Sequence, residues 1–92
     1  MDRPDLYVVA RILDRLWRSQ EPMLRTHLQL AANVNYDIFA RYLDWMRERN
    51  LVDLEDSSDG HVRVRLTPAG REAYRKIVRW INEVVGGRMP GA

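Results

Sequence analysis

Arg25-Thr26-His27-Leu28-Gln29-Leu30-Ala31-Ala32-Asn33-Val34-Asn35-Tyr36-Asp37-Ile38-Phe39-Ala40-Arg41-Tyr42-Leu43 is the stretch on which the fold turns. Leu24, Leu28 and Ala31 share one face of a short helix over Met23 to Ala32. Asn33-Val34-Asn35 follows as a tight connection. Asn35 suits an N-cap, because its side-chain oxygen accepts a hydrogen bond from a free amide in the next turn. A helix from Tyr36 to about Asn50 then sets Phe39, Tyr42, Leu43 and Met46 at core-facing spacing. Asn50 is suited to the left-handed conformation that ends a helix. Two helices therefore meet across a tight turn, and the second is capped.

Upstream, Leu6, Val9, Leu13, Leu16 and Trp17 recur at helical spacing from about Pro4 to Ser19, with Asp2 and Pro4 as the helix start. Pro22 breaks that helix, since the residue before a proline disfavours the α region. Downstream, the period changes. Leu51, Val52 and Leu54 lead into the turn formers Glu55-Asp56-Ser57-Ser58-Asp59-Gly60, after which Val62, Val64 and Leu66 alternate with His61, Arg63 and Arg65. Alternation beyond an Asp-Gly turn predicts a β-hairpin with one buried face. Thr67 caps a last helix with Pro68 at its first position, running to Val85 and stopped by Gly86. The domain is expected over 1–85, including this C-terminal helix at 67–85, with 86–92 as a flexible tail.

The order helix, helix, helix, hairpin, helix is that of a mainly α winged helix-turn-helix with a small β-hairpin. In that geometry the second helix of the pair, here about 36–50, enters the DNA major groove. The hairpin, about 52–66, forms the wing. Arg25 to Tyr36, Tyr42-Leu43 continuing to Asn50-Leu51-Val52, and Arg65-Leu66-Thr67-Pro68-Ala69-Gly70-Arg71 together resemble the small archaeal winged-helix transcriptional regulators. These include the ten-kilodalton archaeal DNA-binding dimers, and the resemblance covers roughly residues 6–85. It implies association through the last helix. Asn50 stands where that family usually has Gly, and the wing tip here is acidic.

Composition narrows the alternatives. The chain has 92 residues, 15 Lys+Arg against 13 Asp+Glu, a net charge of +2 and no Cys. One domain follows from the length. Without Cys there is no disulfide framework, thiolate nucleophile or zinc ribbon. No run is apolar enough for a membrane span, and no nucleophile–His–acid set, phosphate-cradling loop or metal-ligand cluster stands out. No enzyme activity, cofactor, metal or small-molecule effector is expected, and a cytoplasmic, nucleoid-associated location is. All the basic residues but Lys76 are Arg, whose planar fork suits phosphates and guanine edges.

Candidate DNA contacts are Arg25 and Thr26 at the start of the positioning helix, and Asn35, Tyr36, Asp37, Ile38 and Arg41 on the recognition helix. His61, Arg63 and Arg65 share the outward face of the wing. Arg41 has Asp37 one turn back as an alternative partner, and the acids of the first wing strand are alternative partners for Arg63 and Arg65. Tyr74, Ile77, Trp80, Ile81, Val84 and Val85 form a stripe wider than one small domain needs, which points to a homodimer interface. The expected function is that of a homodimeric regulator binding double-stranded DNA. The alternatives are a winged-helix protein-interaction module and a chromatin-type architectural protein.

Overall fold

Asp5 opens the first helix by accepting a hydrogen bond from the amide of Tyr7 (2.8 Å), so α1 spans Leu6–Ser19 in the computed structural model, which describes residues 3–86. Asp5 has the extended backbone that an N-cap needs, whereas Asp2, named as part of the helix start from the sequence, lies outside the described residues. Gln20 ends α1 in the left-handed conformation at φ +57°. Met23–Leu24 then forms a short strand, β1, where the sequence predicts the first turn of a helix. Their backbone is extended, and Met23 and Leu24 pair antiparallel with Val64 and Arg63. That partner lies about forty residues on, so helical periodicity could not reveal it. Helix α2 is therefore shortened to Arg25–Ala31.

Asn33 turns the chain at φ +57°, and Asn35 Oδ1 accepts from the amide of Ile38 at 2.9 Å, as the cap reading requires. Helix α3 runs Tyr36–Glu48. Asn50, at φ +59°, takes the left-handed conformation, which Gly adopts at least cost and Asn tolerates. Strands β2 (Val52–Asp56) and β3 (Val62–Leu66) pair antiparallel, Asp53 opposite Arg65 and Glu55 opposite Arg63. With β1 the sheet has three strands in the order β1-β3-β2, not the two of a simple hairpin.

Thr67 joins the sheet to α4 (Pro68–Trp80). Its hydroxyl accepts from the amide of Gly70 at 2.9 Å and shares its one hydrogen between the carbonyls of Asn50 (2.6 Å) and Leu51 (3.0 Å). A π-helical turn, Ile81–Val85, continues α4 and closes at Gly86. One core unites these elements: Ile12, Leu13 and Leu16 of α1, Leu28, then Phe39, Leu43 and Met46 of α3, Val52 and Val64 of the sheet, and Tyr74 of α4. Inside it, Asp14 is buried. Its carboxylate accepts from the Tyr74 hydroxyl at 2.6 Å and from Arg18 Nε at 3.0 Å. Burial, reinforced by the hydrogen bond to Asp14, pushes the Tyr74 phenol above the usual tyrosine range. Residues 87–92, most of the expected tail, lie outside the described residues.

Candidate nucleic-acid interface

The turn at Asn33–Asn35 presents the start of α3 to solvent. Tyr36 is 61% exposed and Ile38 is 41% exposed, with Asp37 and Arg41 also on the surface. Asn35 spends its side-chain oxygen on the cap, so its amide nitrogen is the part left for recognition. Arg41 makes no ion pair among the described residues, so the bond to Asp37 left open by the sequence is not formed. A groove of about 650 Å³ runs along this helix past Ile38, Arg41, Trp45 and Arg49. The Arg49 guanidinium lies 4.1 Å from the Trp45 ring centroid.

Arg25, at the start of α2, lies with its guanidinium 5.8 Å from the centroid of Tyr36. Its Nε is buried and has no hydrogen-bond partner among the described residues. The contact brings the expected phosphate-binding Arg to the first turn of the recognition helix. Thr26 and His27 are exposed beside it. Leu30, 73% exposed on the same helix, is a surface residue that the sequence reading does not single out. A signal for it exists, since Leu30 falls two residues off the Leu28 face.

In the wing, the acidic partners that the sequence offered as alternatives are engaged. Arg65 is held between Asp53 and Glu55, the latter at 2.8 Å, and Arg63 lies 3.5 Å from Asp59. The register explains this, because Asp53 and Glu55 stand directly opposite the two Arg on one face. Arg65 is thus not a free donor for phosphate, and Arg63 is only loosely engaged. At the tip, Asp59 accepts from the Ser57 hydroxyl and from the His61 amide (3.1 Å), and these bonds hold its carboxyl below the usual range. His61 is exposed beside it. From 36 to 66, recognition helix and wing together hold five Arg against seven Asp and Glu, a net charge of −2.

The apolar stripe on α4 also divides. Tyr74 and Ile81 are buried in the chain's own core, so neither is available to a partner. Tyr74 faces α1, where it meets Trp17 and Asp14, a direction that helical spacing alone does not specify. Trp80 (49%) and Val84 (64%) are exposed, and Ile77 is half-buried. The side chain of Val85 lies outside the described ones. Among the described residues no helix is long and apolar enough to cross a membrane, and no group of three or more His, Asp or Glu could hold a metal.

Several solved structures share this architecture. A MarR-family transcriptional regulator from Silicibacter pomeroyi matches at TM-score 0.73 and 26% identity, over 91% of this chain and 60% of its own. Sso10a-2, a DNA-binding protein from Sulfolobus solfataricus, matches at TM-score 0.74 and 20% identity, over 87% of this chain and 80% of its own. F93 from STIV, a winged-helix DNA-binding protein, matches at TM-score 0.71 and 13% identity, over 91% of this chain and 94% of its own. The chain thus spans about three-fifths of the Silicibacter regulator, and at the two lower identities the likeness is one of fold. No curated protein matches the chain in sequence. The sequence model of the winged helix-turn-helix family matches residues 3–84, nearly all of the described chain, and the protein belongs to that family.

Proposed function

We propose that this chain is a transcriptional regulator that binds double-stranded DNA as a homodimer, with α3 in the major groove. The observation that carries the reading is the exposed first half of α3. There Tyr36, Ile38 and Arg41 are exposed on a capped helix, with Arg25 packed against Tyr36 and Arg41 without an ion pair among the described residues. Arg41 is suited to a guanine edge or a phosphate, and Ile38 to a thymine methyl. Thr26 and Asn35 are expected to contact the backbone, and Asp37 to accept from a cytosine amine. On the wing, His61 and Arg63 remain candidates and Arg65 is the weakest, because two acids already occupy it.

Dimerisation is assigned to a narrower surface than the full apolar stripe. Ala73, Ile77, Trp80 and Val84 are spaced four, three and four residues apart, the spacing of a helix–helix seam. In an antiparallel pair of α4 helices, Ile77 of one copy meets Trp80 of the other. Lys76 then faces Glu83 across the two-fold axis. Such a dimer is consistent with a cytoplasmic, nucleoid-associated regulator needing no cofactor.

The net charge of −2 over residues 36–66 favours a second reading, a winged helix that docks a basic protein partner. Binding to duplexes of random and selected sequence over a range of salt separates the two. A DNA reader weakens steeply as salt rises. Arg41→Ala should cost about 1–3 kcal/mol on the selected sequence and relax preference at one position per half-site. Wild-type protein that binds no duplex at low salt would refute the DNA reading.

A further inference from the structure

We propose that the groove between α1 and α4, centred on Trp17, is a second nucleic-acid surface that takes the phosphate backbone of a duplex without regard to sequence. The charge of the chain is distributed opposite to what its recognition elements suggest. Residues 36–66 carry −2, whereas α1 has three Arg against one Asp and α4 has three Arg and Lys76 against Glu72, together +5. That one acid of α1, Asp14, is buried and already bound to Tyr74 and Arg18, so it does not face an incoming anion.

The groove is organised around an aromatic wall. The guanidinium groups of Arg71 and Arg75 lie 5.9 Å and 5.2 Å from the Trp17 ring centroid, and Trp17 stacks 5.1 Å from the ring of Tyr74. Cation–π contact holds both Arg in place while leaving their N–H edges to solvent. The cavity of about 370 Å³ continues past Arg79 and Asn82 and ends at Glu83. Arg79 has no ion pair among the described residues, and Arg75 has only an exposed contact of 3.8 Å to Glu72. Forks held along one helix face, with acids at the margins, match the oxygens of a phosphodiester backbone.

Position makes the surface usable alongside the proposed dimer. At about 100° per residue, Arg71, Arg75 and Arg79 lie on the side of α4 opposite Ala73, Ile77, Trp80 and Val84. Pairing through the apolar seam leaves the basic groove open on both copies. A dimer holding one duplex by α3 can then hold another in this groove and bridge the two. Only this bridging rests on the proposed reading of α3.

The test uses the full chain, a short random-sequence duplex and the double variant Arg75→Gln/Arg79→Gln. If the groove binds backbone, the folded variant's salt slope falls by about two, one for each phosphate that the substituted side chains no longer neutralise. Co-capture of a dye-labelled duplex on beads carrying a second duplex disappears as well. Arg75→Lys/Arg79→Lys retains the charge and most of the slope, which separates phosphate binding from folding damage. A Gln variant with wild-type melting, slope and co-capture overturns the proposal, and does so alone if Arg41→Ala still weakens binding. Wild-type protein that binds phosphatidylserine vesicles through these Arg but no duplex overturns it in favour of a lipid surface.

Discussion

Replacing Gly70 by Ala would put a Cβ 2.1 Å from the carbonyl oxygen of Leu51 and 2.7 Å from Leu66 Cδ1. The Leu66 methyl can yield by a rotamer adjustment, but the Leu51 oxygen is backbone. It is pinned by the Thr67 amide at 3.2 Å and the Thr67 hydroxyl at 3.0 Å. Restoring ordinary contact needs about 1.3 Å of separation at this junction, which stretches both bonds beyond hydrogen-bonding range. Breaking these two bonds costs about 1 kcal/mol each, and overpacking adds about 1–3 kcal/mol. Ala returns about 1 kcal/mol of helix propensity. The net expectation is a destabilisation of about 2–4 kcal/mol, or a melting temperature lower by about 10–30 °C for a domain of this size. Circular-dichroism melts and urea titrations of Gly70→Ala measure it directly. A double-mutant cycle with Thr67→Ala should be non-additive, because both changes remove bonds to the same carbonyl. A Gly70→Ala protein as stable as wild type would refute the reasoning.

Other outcomes follow from the same geometry. Ile81→Glu puts a charge into the chain's own core and should cost about 3 kcal/mol or more, whereas Trp80→Glu should stay folded and sediment as a monomer. A folded, monomeric Ile81→Glu would contradict the burial of that side chain. Tyr74→Phe leaves the Asp14 carboxylate short of a donor and should cost about 1–3 kcal/mol. Because the Tyr74 phenol is raised above its unfolded value of about 10, its stabilisation is complete below about pH 10. It fades as pH rises towards the folded value, so the wild type and Tyr74→Phe should converge in alkali. In duplex binding, Arg63→Ala should weaken affinity more than Arg65→Ala, since Arg65 is already held by Asp53 and Glu55; the reverse order would place Arg65 on the DNA.

Local chemistry made much of this protein readable from its sequence. Asn35 caps α3, Asn50 turns left-handed after it, and Thr67 with Pro68 starts α4, because a cap or turn depends on atoms within a few residues. The apolar periods of α1, α3 and the wing likewise follow from neighbours three, four or two positions away. Tertiary structure decided the rest. The strand at Met23–Leu24 exists only because Arg63 and Val64 are there to pair with it. Helical spacing grouped Tyr74 and Ile81 with Trp80 and Val84. Only the packing of α4 on α1 separates those in the core from those left outside. The sign of the surface is also a tertiary matter. Cross-strand register sets Arg65 against two acids, while Asp14 is drawn inward to Tyr74 and Arg18, and Arg11, Arg15, Arg71 and Arg79 are left with no ion pair among the described residues. Charges are carried by the sequence, but which of them cancel depends on distances that only the folded chain defines.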